Sequence, residues 1–173
     1  MLRFVWSFRN ETDTYVWIIL LENLKSLSSC LLYTSFYEDF KSFIRKLIEN
    51  ITRKIGYRIE NHEDDLTRLL KENILYLLAK TDDEEFQKFS NNLIIENGSL
   101  IHVQADLQKA VFTSLLRKGN LEIVKEFISM YEKSETPEEK ERIAILLAEV
   151  IDDDLINFVL EFSMSVNIIL LKL

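Results

Sequence analysis

The sequence predicts an all-α fold, a HEAT-like or armadillo-like α-solenoid of antiparallel helix pairs. Apolar residues recur at steps of three and four along almost the whole chain, which is the spacing of one helical face. The 173 residues include only 3 Gly and 1 Pro, too few breakers for the many turns of a β-sandwich. A compact irregular bundle fits the same periodicity, because both arrangements bury one stripe per helix.

Four helices are predicted in the first hundred residues. Their apolar stripes are, in chain order, Val16, Ile19, Leu20, Leu24, Leu27; Phe36, Phe40, Phe43, Leu47, Ile51; Leu66, Leu69, Leu70, Ile74, Leu77, Leu78; and Phe86, Phe89, Leu93. Gly56 is predicted to end the second helix, with Arg53 and Lys54 near its negative end. The segment Thr81-Asp82-Asp83-Glu84 matches a capping box that starts the fourth helix. The aromatic residues of these stripes are interpreted as core.

Four more helices are predicted after a break at residues 97–99. Their stripes are Leu107, Val111, Leu115, Leu116; Leu121, Val124, Phe127, Ile128, Tyr131; Ile143, Leu146, Leu147, Val150; and Ile156, Val159, Leu160. Asn120 is the predicted cap of the second of these, and Asp152 or Asp153 caps the last. The strongest local signal is Thr136 as a cap, with Pro137 at the first helical position and Glu139 placed to bond back to the cap.

The composition indicates one globular helical domain covering residues 1–173. Hydrophobic residues make up 47% and charged residues 29%, which is typical of a folded domain. The net charge of −8 argues against a nucleic-acid partner, which requires clustered Lys and Arg. The longest apolar runs, at residues 15–21 and 168–171, are too short to span a membrane. The apolar part of the first six residues is too short for a signal peptide.

The cysteine and the glycosylation sequons give further expectations. Cys30 is the single cysteine, and its apolar helical surroundings predict a small buried core residue. Three sequons make Asn10, Asn50 and Asn97 possible glycosylation sites. Asn97 is the best predicted acceptor because Asn-Gly-Ser is typical of an exposed loop, whereas Asn50 is predicted to lie within a helix.

No catalytic, cofactor-binding or metal-binding residue is predicted in this chain. Zinc peptidases of the gluzincin type need H-E-x-x-H on a helix, and the two histidines here, His62 and His102, are far apart. The acidic residues after His62 are interpreted as a helix N-terminus, and residues 152–154 as capping. A catalytic pair of Cys30 with either histidine is left open by spacing but lacks an activating context.

Several short motifs occur in a defined order between about residue 11 and residue 166. Residues 54–57, Lys-Ile-Gly-Tyr, resemble K-L-G-W, and residues 64–70 resemble the helix start H-L-x-x-L-L-R. Residues 103–112 resemble I-P-P-D-L-R-x-x-V-Y, and residues 137–142 resemble P-x-E-K-x-R. In this order and spacing, the motifs resemble the C-terminal helical domain of the aminopeptidase N family, which includes the endoplasmic-reticulum aminopeptidases.

The resemblance implies a bowl of HEAT-like helix pairs that closes over a catalytic domain and shapes an internal peptide chamber. The parent family is one of zinc metallopeptidases that release N-terminal amino acids from peptides. Because this chain lacks the zinc helix and the G-x-M-E-N loop of the catalytic domain, we expect it to be non-catalytic and to hold no zinc. Expected partners are that catalytic domain, or a peptide or protein on the concave face. An extracellular, membrane-anchored or secretory-lumen setting is favoured over the cytoplasm.

Three departures from the family pattern bear on function. Gln108 stands where the family has Arg and Phe112 where it has Tyr, so a basic residue that could meet a peptide carboxylate is missing there. Residues 167–173 form a divergent tail where the family continues with Arg-x-Gln-Asp. These departures suggest a truncated product, a partial gene model or a degenerate paralogue.

The alternative function is a free-standing α-solenoid module that binds a protein or peptide. The apolar start, Leu2 to Phe8, and the apolar tail, Ile168 to Leu171, are more typical of surfaces that meet other parts of a larger protein. They therefore favour the interpretation as a fragment.

Overall fold

The structure, a computed structural model, describes residues 2–60 and 62–166, and every regular element in these ranges is helical. The α-helices are α1 (Leu2–Trp6), α2 (Thr14–Leu31), α3 (Tyr37–Ile55), α4 (Asp65–Lys80), α5 (Glu84–Asn97), α6 (Ala105–Lys118), α7 (Leu121–Lys133), α8 (Pro137–Leu147) and α9 (Asp153–Ser165). Short 3₁₀ helices span Ser7–Asn10 and Leu100–His102. The all-α prediction is confirmed. The predicted apolar tail at residues 168–171 lies outside the described residues.

The chain divides into two compact units, Met1–Val111 and Phe112–Leu173, and the division falls within α6. In the first unit α2 packs most extensively on α4, while α3 packs on both α2 and α4, and α5 on α4. In the second unit α7 contacts α8 and α9. Short turns join α2 to α3, α4 to α5 and α7 to α8, as expected of helix hairpins in an all-α solenoid-like domain.

The core of each unit is built around aromatic side chains. Trp17 is fully buried in the first unit, and its indole Nε1 donates a 3.0 Å hydrogen bond to the carbonyl of Glu11. This bond satisfies the only polar atom of the indole, so the ring can be buried without a desolvation penalty. In the second unit Phe112 and Phe127 meet edge to face with ring centroids 5.1 Å apart.

Most predicted helix ends are confirmed. Gly56 follows α3 with φ of 70°, and its N–H donates to the carbonyl of Thr52 at 2.9 Å. This positive φ is the left-handed region in which Gly carries no Cβ penalty. Asn120 caps α7, and Asp152 rather than Asp153 caps α9, each side chain accepting two backbone N–H bonds.

The predicted capping box at the start of α5 is wrong in its register. Thr81 ends α4 instead, with its Oγ1 donating to the carbonyl of Leu77 at 2.8 Å. Asp83 is the cap of α5 and accepts from the N–H of Phe86 at 2.9 Å. Thr81 is therefore still bonded to α4. The chain changes direction at the next residue, Asp82, whose positive φ of 56° makes the turn that precedes α5.

The predicted stripe of α2 is displaced by about one position. The buried face is Trp17, Leu21, Leu24 and Ser28, whereas Ile19 is 62% exposed. Residues 15–21 are apolar on every side of the helix, so their periodicity does not point to one face, and the largest side chain takes the core.

Cys30 is exposed, so the prediction of a buried cysteine is wrong. Its position in an apolar run suggested the core, but it lies two residues beyond Ser28 and thus on another side of α2.

The stripes of the later helices are largely confirmed. Every predicted stripe residue of α6 and α8 is buried, together with Val150 after α8. The predicted stripe residues that are exposed are Phe36 before α3, Leu69 in the first turns of α4, Leu121 at the start of α7 and Leu160 within α9, together with Ile19 of α2. Of the other aromatic residues predicted as core, Phe40 and Phe86 are buried, whereas Phe43 and Phe89 are half-buried.

The helical start of the chain was not predicted. The first helix has only five residues, and no periodicity is visible over so short a length. Among the helices in residues 2–60 and 62–166, none combines the length and the apolar character that crossing a membrane requires.

Thr136 and Pro137 start α8 as predicted, but the capping box is only half formed. The Oγ1 of Thr136 accepts from the N–H of Glu139 at 3.3 Å. The Glu139 carboxylate faces Arg142 at 3.7 Å instead of returning to the cap.

We expect Thr136→Ala to lower the free energy of unfolding by about 1 kcal/mol, because a helix N–H loses its acceptor. Urea unfolding followed by circular dichroism measures the change. Thr136→Ser keeps an acceptor and should lie close to the wild type, and Glu135→Ala is the control at an exposed neighbour. Equal losses for the Ala and Ser variants would contradict a capping role.

Candidate functional site

A polar cleft of about 600 Å³ lies in the first unit, between α3 and the turn that leads into α5. Its lining residues are Arg45, Lys46, Glu49, Thr52, Arg53, Gly56, Tyr57, Leu78, Asp82, Asp83, Glu84 and Glu85. The α3 side carries the cationic residues, while the four consecutive residues from Asp82 are all acidic. The cleft therefore presents both signs of charge.

The two charged sides of the cleft do not neutralise each other directly. The Arg45 guanidinium donates to the carbonyl of Thr81, and Arg53 pairs with Glu49 on its own helix. Among the described residues, Lys46, Glu84 and Glu85 have no ion pair. Chemically, the cleft can bind polar or charged groups of a ligand, and it contains no pairing of a nucleophile with a base.

Lys41 is buried behind this cleft and fixes the α4–α5 turn. Its Nζ lies 2.7 Å from Asp82 and 2.8 Å from Glu38. Burial lowers the pKa of Lys41, but hydrogen bonds to the two carboxylates outweigh it, so the pKa is raised above 10.5. The ammonium therefore stays charged at physiological pH and holds Asp82 in its left-handed conformation.

Tyr57 supplies a neutral hydroxyl to the cleft. Burial, followed by the charges of Asp83 and Glu85, raises its pKa to about 12. Its ring packs edge-on against Phe86, with centroids 5.6 Å apart, and at a tilt against Phe89, with centroids 5.2 Å apart. The phenol thus remains protonated at neutral pH and can both donate and accept a hydrogen bond.

A second buried lysine ties the loop between α3 and α4 to the core. The ammonium of Lys71, whose side chain is 3% exposed, bonds the Glu63 carboxylate and lies 2.7 Å from the carbonyl of Arg58. The hydrogen bond from Lys71 is the main cause that lowers the pKa of Glu63 below 4.5. Arg58 also pairs with Glu96 at 3.0 Å, which joins the loop to α5.

Lys25 and Lys109 converge on one aromatic ring. Their Nζ atoms lie 5.5 Å and 4.4 Å from the ring centroid of Tyr76. Burial, followed by the charge of Lys109, lowers the pKa of Lys25. Burial and the neighbouring Asp106 raise the pKa of Glu72 nearby. Charges of both signs thus lie close together on this surface and offset one another.

The positions that the family resemblance singled out have structural roles. Phe112 is 2% exposed and belongs to the core beside Phe127. Gln108 is half-buried, and its Nε2 donates to the carbonyl of Val103 at 3.0 Å, bonding the start of α6 to the preceding loop. Neither side chain offers a charged group to a ligand.

His102 and the acidic residues after His62 have local contacts in the structure. His102 lines a small pocket of about 280 Å³, where its Nδ1 lies 3.2 Å from the carbonyl of Asn97. Asp64 caps α4, which confirms the helix-start interpretation of the acidic residues after His62. In the ranges that the structure describes, no three His, Cys, Asp or Glu side chains are grouped so that they could hold a metal ion.

Two of the three sequons meet in space. The Nδ2 of Asn50, an exposed residue within α3, donates to the Oδ1 of Asn10 at 2.9 Å. A glycan on either amide nitrogen would therefore crowd the other side chain. Asn97 is the last residue of α5 and is half-buried. Glycosylation at all three positions stays a prediction.

Sequence reasoning missed the two buried lysines and the cleft. A weak signal existed, because Lys41 lies one turn before Ile44 and Lys71 lies between Leu70 and Ile74, both on buried faces. A lysine on a buried face requires a carboxylate partner. The sequence does not identify that partner, since many carboxylates are available.

The structure defines an all-helical domain whose described residues form a polar cleft and charged clusters but no group of metal ligands. The particular family follows from comparison with known proteins. The sequence profile described as "ERAP1-like C-terminal domain" matches residues 1–170, and the chain belongs to this family. It is thus a C-terminal domain of an aminopeptidase-like protein, as the resemblance predicted.

A curated relative supports the same family. Aminopeptidase M1-A of Oryza sativa subsp. japonica is 23% identical over 175 residues. The aligned region covers 95% of this chain and 20% of the rice protein. The chain therefore spans about a fifth of the length of this relative.

We expect Asp82→Asn to lower the free energy of unfolding by roughly 2 kcal/mol, because the buried Lys41 loses its enclosed counter-charge. Asn also tolerates a positive φ, so the turn itself is not strained by the change. Glu38→Gln, at the 80% exposed partner, is the matched control and should cost less than about 0.5 kcal/mol. Urea denaturation at pH 7 measures both, and a larger loss for Glu38→Gln would contradict the assignment.

The Glu63–Lys71 pair should make stability depend on pH. Because the folded-state pKa of Glu63 lies below 4.5, the pair stabilises the protein above that pH. This contribution is lost as the pH falls through the lower folded-state value. We therefore expect the difference in unfolding free energy between wild type and Glu63→Gln to be constant above about pH 5 and to shrink toward zero in acid. A difference that grows in acid would contradict this sign.

Proposed function

We propose that this chain is the non-catalytic, chamber-forming C-terminal domain of a zinc aminopeptidase-like protein. The observation that carries the proposal is the match of the family profile to residues 1–170. In the parent reaction, water activated by zinc would release N-terminal residues from peptides. The catalytic domain of such a protein would be the partner of this chain. The accessible amide of Asn10 is compatible with the extracellular or secretory setting that we propose.

Two features support a non-catalytic role for the chain itself. Its only histidines, His62 and His102, do not form the H-E-x-x-H pattern that binds zinc and supplies the general base. The cleft is lined by cationic side chains, carboxylates and neutral hydroxyls, and none of these is a nucleophile held beside a base. Binding and shaping, rather than bond cleavage, are what these groups can do.

The polar cleft is the surface that we propose for contact with peptide. Its cationic and acidic sides could each bind a side chain of opposite charge, and the neutral hydroxyl of Tyr57 could bond a peptide carbonyl. The same cleft supports the second candidate function, a free-standing module that binds a protein or peptide. The two functions differ in whether a catalytic domain is needed.

We expect the purified 173-residue chain to show no hydrolysis of aminoacyl-anilide substrates above background, with or without added zinc. Fluorescent or chromogenic release measures the rate. Turnover that is abolished by a chelator and restored by zinc would contradict the non-catalytic role.

A chimera tests the domain role in the same assay. Residues 1–170 replace the matching segment of the rice relative, and a deletion of that segment is the control. We expect activity in the chimera and its loss in the deletion. A chimera as inactive as the deletion, although folded, would contradict the proposal and favour the free-standing module.

A further inference from the structure

The polar cleft contains hydrogen-bond acceptors that the protein itself does not use. They belong to Thr52, Tyr57, Glu84 and Glu85, which all line the cleft. Within residues 2–60 and 62–166, the Oγ1 of Thr52 is buried without a hydrogen-bond partner, and the other three side chains form no hydrogen bond or ion pair. The cleft is therefore suited to a ligand that is rich in donors.

Thr52 is the most specific of these groups. The residue is only 8% exposed, and a buried hydroxyl without a partner destabilises a fold because it has given up its bonds to water. A threonine hydroxyl within a helix can bond a carbonyl of the preceding turn, and that of Thr52 does not. A donor group that enters the cleft would supply the missing bond.

The charge of the cleft that remains unpaired is mainly negative. Five acidic side chains line the cleft, against three cationic ones. Two of the cationic side chains are already engaged, one with a backbone carbonyl and the other with a glutamate of its own helix. Burial, and then the charges of Asp83 and Glu85, raise the pKa of Tyr57 to about 12, which is the direction that a negative field produces. A cation is therefore favoured over an anion as the ligand.

We propose that the cleft binds the arginine side chain of a peptide. Its guanidinium pairs with the carboxylates of Glu84 and Glu85 and donates to the hydroxyls of Thr52 and Tyr57. Arginine has five N–H donors in a planar fork, whereas the ammonium of lysine has three donors and no fork. The inference rests on the proposed function, in which this cleft contacts peptide, and it adds the class of side chain that the cleft selects.

The test titrates the nitrogen-15-labelled 173-residue chain with short peptides and follows the amide shifts by NMR. Each peptide is acetyl-Ala-Ala-X-Ala-Ala-amide, in which blocked ends leave X as the only charged group. The arginine peptide should bind with a Kd below about 1 mM and shift amides that line the cleft. The lysine peptide should bind more weakly, and the citrulline peptide, of similar shape but neutral, about tenfold more weakly. Equal affinities for arginine and citrulline, or no binding of the arginine peptide up to about 5 mM, overturn the proposal.

Two charge variants identify the acidic groups that bind the arginine. Glu84→Gln and Glu85→Gln combined in one chain should weaken binding of the arginine peptide about tenfold and leave the circular dichroism spectrum unchanged. Glu126→Gln removes one charge at an exposed position of α7 and should leave binding unchanged. A combined variant that binds the arginine peptide as tightly as wild type overturns the proposal.

Thr52 gives a test that does not depend on charge. Thr52→Val removes the unpartnered hydroxyl, so it should not lower the urea midpoint, yet it should weaken binding of the arginine peptide about threefold or more. Thr52→Ser keeps the hydroxyl and should bind within about twofold of wild type. A valine variant that binds as tightly as wild type overturns the role of Thr52. These measurements need no catalysis, so a loss of selectivity for arginine rejects this site, while the activity of the chimera decides the domain role separately.

Discussion

The ammonium of Lys41 is almost enclosed in the first unit, and the structure around it depends on the carboxylate of Asp82. Removing an ammonium from water costs several kcal/mol unless a close counter-charge offsets it. Asp82 provides that charge only from a left-handed backbone conformation, which no other described residue except glycine adopts. The same turn places Asp83 to cap α5 and brings the Thr81 carbonyl to Arg45. The buried pair of Lys41 and Asp82 therefore fixes the turn at which α4 ends and α5 begins. That turn forms one side of the cleft.

Local signals predicted the fold well because helix ends are decided within a few residues. Asn120, Thr136 and Asp152 cap their helices as their side chains and spacing predicted. Stripe positions were predictable where polar residues mark the other face, as in α6 and α8. They were not predictable in α2, where apolar residues surround the helix and Trp17 takes the core because of its size. The same ambiguity misplaced Cys30.

The candidate site could not be predicted for a different physical reason. Its pairs join residues that are distant in sequence, since Lys41 and Asp82 are 41 positions apart and Arg45 reaches a carbonyl 36 positions away. A sequence of 29% charged residues offers many alternative partners for each lysine. Only the packing of α3 against α4 selects among them. The pKa shifts of Lys41 and Tyr57 follow from that packing and have no local signature.

The two departures from the family pattern that lie on α6 differ in what they imply. Phe112 lies in the core against Phe127, so a missing hydroxyl at this position affects packing more than ligand binding. The neutral amide of Gln108 donates a hydrogen bond to the carbonyl of Val103 and thereby stabilises the start of α6. This role is local and needs no charge. Neither substitution disturbs the polar cleft, whose charged residues lie on α3 and on the α4–α5 turn. Any contact that this domain makes with a peptide is therefore better sought at the cleft than at the positions on α6.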